Sequence, residues 1–335
     1  MGGIVQEPLT LTHFVILLLC SAVLLLLVLG FVTYAIYFER KVIGWMQLRK
    51  GPNRVGPFGL LQTVADVLKL LIKEDTIPKN ADRPLFILAP ILVFCPAFIV
   101  LATIPYSETI VFADLDVGLL YYAALSSIST IGILLGGWAS NNKYSLLGGM
   151  RSAAQMISYE IPFVISVIGV VMLSGSLNLR TIVEGQGNAF WEWNFLPQIV
   201  GFFVFIIAGI AELNRTPFDL PEAESELVAG YHVEYSGFRF AFFMLAEYTY
   251  VFAIASLTTL LFLGGWQPPL AVLEFIPGII WFLLKFSLIV FVLIWIRATM
   301  PRIRVDQLMV LGWKVLLPLA LLNIFITAVY MELIR

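Results

Sequence analysis

Long apolar runs dominate this chain. Residues 14–38 carry no charge over 25 positions, and comparable runs lie near residues 85–104, 118–138, 154–174, 197–213, 240–263, 277–296 and 309–331. A helix of roughly 20 apolar residues crosses the hydrocarbon core of a bilayer. The pattern therefore predicts an all-α polytopic membrane protein with about eight transmembrane helices, organised as a single integral membrane domain over residues 1–335. The first run is too long for a signal-peptide core and follows Glu7 rather than Lys or Arg, so it is expected to remain in the mature chain.

One segment has a different period. From Leu60 to Lys73 the residues Leu60, Leu61, Val64, Val67, Leu68 and Leu71 share one helical stripe, while Gln62, Asp66, Lys69 and Lys73 share the opposite one. This predicts an amphipathic helix lying on the membrane surface or against a partner. The turns Gly51-Pro52-Asn53 and Gly56-Pro57 bend the chain ahead of it. No low-complexity tract or direct repeat interrupts the runs.

Composition agrees with a bilayer as solvent: 60% of residues are hydrophobic and 13% charged, against about 25% charged in soluble folds. The net charge of −2 creates no global field for nucleic acid. The two cysteines, Cys20 and Cys95, both lie in apolar runs, and there are only two histidines, His13 and His232. No bound metal, iron–sulfur cluster or flavin is expected within the chain, and neither a G-x-G-x-x-G nor a Walker-type phosphate loop occurs.

Cations resist translocation and mark cytoplasmic loops. With the N-terminus outside, sixteen of the twenty Lys and Arg fall on the inner side; the exceptions are Arg180, Arg335, Lys285 and Lys314. Both termini are thus expected on the outer face.

Charge buried at membrane depth costs on the order of 2.5–3.5 kcal/mol per group at a helix centre, so each instance needs a reason. Glu160 lies nine residues beyond Arg151 and Glu247 eight beyond Arg239, roughly 13 and 12 Å along a helix. Lys285 lies twelve residues before Arg297. These three groups fit either a hydrated proton path or structural ion pairs, such as Lys285 with a glutamate on a neighbouring helix. A second concentration of charge follows the fifth run: Glu212, Asp219, Glu222, Glu224, Glu226 and Glu234 accompany Arg215 as the nearby cation. Pro217 and Pro221 exclude one continuous helix here, and the interleaved Phe218, Leu220 and Leu227 suggest burial rather than a merely solvated loop. A third group, Arg40, Arg49, Arg54, Arg297, Arg302 and Arg304, gathers at the inner ends of the first and seventh runs. It either signals topology alone, pairs with Glu39, Asp66 and Asp306, or lines the mouth of a cavity.

Several stretches carry a resemblance. Glu39-Arg40-Lys41, MQLRKGPNRVGP over 46–57, MRSAAQMISYE over 150–160, AELNRTPFD over 211–219, ESEL over 224–227, AEY over 246–248, WIRATMPR over 295–302 and DQLM over 306–309 closely resemble the H subunit of bacterial NADH:quinone oxidoreductase, respiratory complex I. They extend over nearly the whole chain. The resemblance implies an eight-helix component of a proton-translocating enzyme in the bacterial cytoplasmic (inner) membrane. There it meets other membrane-arm subunits and the quinone-site and iron–sulfur subunits of a peripheral arm. It also implies that a quinone, ubiquinone or menaquinone, enters laterally toward a reduction site in neighbouring chains. Glu39, Arg40, Arg49, Asp66, Lys69, Arg215, Arg297, Arg302 and Asp306 then belong to the quinone chamber and its interface. Glu160, Glu212, Glu247, Lys285 and the loop acids Glu222, Glu224 and Glu226 belong to a proton path. Thr63 and Val305 depart from the residues common there, a proline and an aromatic. Competing readings are an autonomous ion transporter, a quinone-independent component of a related membrane-bound hydrogenase, and a purely structural anchor.

Overall fold

The computed structural model describes residues 11–221 and 224–334; the side chains of Glu224, Ser225 and Ile334 are not described. Every regular element among these residues is helical. In chain order the α-helices are α1 (Leu11–Met46), α2 (Gln62–Ile72), α3 (Arg83–Val100), α4 (Gly118–Ala139), α5 (Lys143–Ser174), α6 (Leu179–Glu184) and α7 (Ile199–Glu212). They continue with α8 (Glu224–Leu227), α9 (Gly237–Phe262), α10 (Gly278–Thr299), α11 (Val305–Val310) and α12 (Leu317–Ile334). A π-helical stretch, Leu311–Leu316, joins the last two.

Among the described residues, seven helical stretches are long and apolar enough to cross a membrane. The remaining apolar run, the fifth in chain order, forms α7, whose 14 residues rise only about 21 Å. Gln186 and Asn194, in the irregular chain before it, tie that chain to the backbone at the end of α9. Gln186 Nε2 donates to the Leu260 carbonyl at 2.8 Å and Asn194 Nδ2 to that of Leu261 at 3.0 Å, while the amide of Gly264 donates to Gln186 Oε1.

Some helices outrun their apolar cores. α1 continues through the charged residues Glu39, Arg40 and Lys41 to Met46, and α5 begins at Lys143, eleven residues before the predicted span. Asn142 caps α5 by accepting from the amide of Tyr144 at 3.0 Å. The first turns of α5 pack closely on α4: a Cβ on Gly137 would lie 3.2 Å from the Cα of Gly149. Small residues that let backbones approach are a principal source of helix association in lipid.

The main core gathers α1, α4, α5, α7, α9 and α10 around fully buried aromatics including Tyr122, Tyr159, Phe205 and Phe262. α12 is fastened by a buried polar triad. Asn323 Nδ2 donates to Gln198 Oε1 at 2.6 Å, and Gln198 Nε2 to Thr327 Oγ1 at 2.6 Å. The expected amphipathic helix is α2. Its Val67, Leu68 and Leu71 are exposed while Thr63 is buried, so most of its apolar face is uncovered.

Candidate functional site

The loop after α7 builds the centre of the site. Asn214 takes a positive φ of 51°, which turns the chain back beneath α7. From α5, Gln155 Nε2 donates to the carbonyls of Ala211 at 2.8 Å and Phe218 at 2.9 Å and to Asn214 Oδ1 at 3.0 Å. Asn214 Nδ2 in turn donates to Ser152 Oγ at 3.0 Å. The turn thereby carries Arg215 inward instead of toward the cytoplasm.

Arg215 is buried, and its partners lie on other helices. Its Nη1 donates to Glu39 Oε2 at 3.0 Å, its Nε to Glu247 Oε1 at 2.6 Å, and its guanidinium carbon sits 4.1 Å from the ring centre of Tyr248. Tyr248 donates its hydroxyl proton to Glu39 Oε2 at 3.0 Å, and Arg297 Nη1 bonds Glu39 Oε1. Two carboxylates and two guanidiniums thus balance formally. Burial alone would pull the Arg215 pKa down; Glu247 and Glu39 outweigh it and hold it well above the usual value. The expectation that Arg215 serves the acids of its own loop is corrected by this geometry. Asp219 is met by Arg302 Nη2 at 3.1 Å, and Glu226 by Arg151 Nη1 at 2.9 Å. Burial raises the Asp219 pKa despite the opposing pull of Arg302 and Arg297.

Beside this network lies a more open ionic contact. Arg40 Nη1 donates to Asp66 Oδ2 at 2.5 Å, and Gln62 Nε2 donates to Asp66 Oδ1 at 3.1 Å, joining α1 to α2. Tyr37 adds a bond to the Phe58 carbonyl at 2.9 Å. Arg49, Lys69 and Asp306 are exposed, and Asp306 occupies the first turn of α11. Thr63 is buried in α2, and Val305 is exposed.

Deeper in the bundle, Glu212 and Glu160 lie within electrostatic reach of each other. Ser127 on α4 donates to Glu160 Oε1. Glu212 Oε2 and the hydroxyls of Tyr122 and Tyr250 are buried without a hydrogen-bond partner among the described residues. A cavity of about 30 Å³ is lined by Glu212, Glu247, Asn214 and Tyr250. That is room for one or two waters, with these polar groups set in an otherwise largely apolar lining that includes Val93, Ile133 and Phe243. It joins Glu247, a member of the ionic network, to Glu212. Beyond Tyr122 the surroundings change: the next void, about 210 Å³, is walled by apolar groups such as Phe163, Val167, Phe205 and Leu257.

The structure brings together Glu39, Arg215, Glu247 and Arg297, then Glu212 with Glu160. It places Lys285 elsewhere. Lys285 Nζ donates to the carbonyls of Leu263 at 2.5 Å, Gly265 at 3.1 Å and Gln267 at 2.7 Å and sits 3.9 Å from the ring centre of Trp193. It caps the end of α9 and pairs with no carboxylate among the described residues. Glu222 and the side chain of Glu224 lie outside the described residues. Residue patterns alone pass over Tyr248, Tyr122, Tyr250, Gln155 and Ser127, which carry no charge; polar groups at regular depth within apolar runs were the available signal.

These features define a polytopic helical membrane protein with a buried ionic chain opening toward a basic rim. The family model described as NADH dehydrogenase matches residues 19–328. The chain is 68% identical over 312 residues to the H subunit of NADH-quinone oxidoreductase from Brevibacillus brevis, covering 93% of this chain and 92% of that protein. It is 67% identical over 331 residues to the protein of the same name in Bacillus thuringiensis subsp. konkukian, covering 98% of each. The chain belongs to this family, the H subunits of the multi-subunit enzyme NADH-quinone oxidoreductase.

Proposed function

We propose that this subunit walls a quinone chamber at its basic rim and carries charge from there into the membrane through Glu39, Arg215, Glu247, Glu212 and Glu160. The observation that carries this reading is the double membership of Glu247: it is ion-paired to Arg215 and also lines the water-sized cavity shared with Glu212. The relatives' name supports quinone as the substrate, and the Arg40–Asp66 contact supplies a polar lining between α1 and the amphipathic α2. Arg49, Lys69, Arg302 and Asp306 complete the rim against the quinone-site and iron–sulfur subunits of a peripheral arm, where electrons are delivered.

The chemistry follows from charge balance. A quinone that gains electrons becomes anionic and competes with Glu39 for the Arg297 and Arg215 guanidiniums. A carboxylate that loses its cation in a low-dielectric site gains a proton. Glu247 and Glu212 can then exchange that proton through water in the cavity between them, and Glu160 passes it toward neighbouring membrane subunits. An autonomous transporter fits less well, because the polar chain ends against the apolar void beyond Tyr122. The cation distribution supports a bacterial cytoplasmic membrane location with both termini outside.

The test uses the intact complex with Glu247→Gln and Glu160→Gln. Assembly is expected to survive, while quinone-coupled proton translocation falls at least tenfold, within the range for loss of a proton-transfer group. Full coupled turnover in both variants would remove the path.

A further inference from the structure

On the flank of the bundle, α1 and α10 diverge and leave a cleft of about 470 Å³ lined by Gly30, Phe31, Tyr34 and Phe38 on one side and Phe286 and Val290 on the other. It is lined almost wholly by apolar groups and is open along the lipid-facing surface, where Tyr34, Phe38, Leu283 and Phe291 are exposed. Gly30 contributes to the opening: a Cβ there would meet no atom within 4 Å.

The two ends of the cleft differ. Its lining on α1 runs from Gly30 to Val42, twelve residues, or about 18 Å of helix, which matches the depth of one leaflet of a hydrocarbon core roughly 30 Å thick. At the Val42 end the same stripes continue into cations. Lys41 lies three residues beyond Phe38 and seven beyond Tyr34, with its ammonium 5.6 Å from the ring centre of the neighbouring Tyr37; Arg297 lies three beyond Ile294 and seven beyond Val290. Both are spacings that share a helix face. Arg297 engages Glu39 through Nη1 and is itself partly exposed, at 31%. Trp45 and Trp295 stand exposed at this end, as interfacial tryptophans do at the headgroup level.

We propose that this cleft is a binding site for an anionic phospholipid: one acyl chain lies between α1 and α10, and the phosphate meets Lys41 and Arg297. Basic pockets between transmembrane helices on the cytoplasmic side are suited to such headgroups. Through Arg297 the headgroup adjoins the partner of Glu39, so the site ties lipid charge to the edge of the ionic network. The cleft lining is separate from the α1–α2 contact at Arg40 and Asp66, while its headgroup end shares Arg297 with the ionic network.

The test counts phospholipid retained by the purified complex after exhaustive detergent washing, then measures rebinding from nanodiscs of phosphatidylcholine with and without phosphatidylglycerol. Wild type is expected to retain phosphatidylglycerol at this site. Gly30→Leu fills the cleft without burdening α1, because leucine is a better helix former than glycine, and should retain one molecule fewer. Lys41→Gln should keep the chain site but lower the preference for phosphatidylglycerol over phosphatidylcholine roughly fivefold, the worth of one cation at such a surface. Equal retention in Gly30→Leu and wild type overturns the site. So does a headgroup preference unchanged in Lys41→Gln, retention of quinone in place of phospholipid, or a helix of another chain seated along Phe31 and Val290 in the assembled complex. None of these readouts depends on proton translocation, so the lipid site and the proton path can fail separately.

Discussion

Glu247 on α9 and Glu212 at the end of α7 line one cavity of about 30 Å³, yet their other surroundings are opposite. Glu247 holds the Arg215 guanidinium at 2.6 Å, whereas Glu212 Oε2 has no hydrogen-bond partner among the described residues. One cavity thus has a carboxylate with a cation on one side and a carboxylate oxygen without a hydrogen-bond partner among the described residues on the other. Glu212→Gln keeps the shape and removes the exchangeable proton. Quinone-driven proton uptake by the assembled complex is expected to drop at least tenfold, and unchanged uptake would show that the cavity is not on the route.

Arg215 is a harder position to change. Removing one partner of a buried ion pair typically costs about 3–5 kcal/mol because the remaining charges stay buried. Arg215→Met leaves Glu247 without its cation and Glu39 with only Arg297 and Tyr248, and is expected to abolish stable assembly. Arg215→Met combined with Glu247→Gln removes the stranded charge and should recover part of the assembled complex on native gels. Strict additivity of the two single changes would mean that the residues are not coupled.

Lys285 separates a structural role from a proton-carrying one. Its ammonium satisfies three backbone carbonyls, of Leu263, Gly265 and Gln267, in the turn that follows α9, groups that would otherwise be buried without a donor. Lys285→Met should lower the thermal midpoint of the complex while turnover per assembled complex stays near the wild-type value. A selective loss of coupled activity with unchanged thermal stability would return Lys285 to the proton path.

The membrane spans were legible in the sequence because a bilayer demands apolar runs of fixed length, and α2 was legible because its polar residues recur on one stripe. Glu160, Glu212 and Glu247 stood out because charge in an apolar run is costly. The pairing was not legible. Arg215 and Glu39 are 176 residues apart, and the local supply of acids around Arg215 pointed to its own loop. What redirected it was Gln155, an uncharged residue on α5 whose amide pins the turn from both sides. The role of Lys285 is hidden for a related reason: its partners are carbonyls, which sequence does not display. The bonds of Gln186 and Asn194 are hidden in the same way, since their partners are backbone groups at the end of α9, far from them in the chain.

A last prediction concerns acid stability. His232 lies in the short helical turn Gly230–His232 outside the spans, packed edge-on to Phe240, and burial lowers its pKa from 6.5 to about 4. Above pH 6.5 the side chain is neutral in both folded and unfolded chains and the shift has no effect. Between 6.5 and about 4 the unfolded chain takes up a proton that the folded one refuses, so stability declines as pH falls, by up to about 3 kcal/mol. His232→Gln removes this titration. Thermal midpoints of the purified complex measured between about pH 7 and pH 4.5 should fall less steeply in the variant than in wild type. Parallel curves would show that His232 is protonated as readily in the folded chain as in the unfolded one.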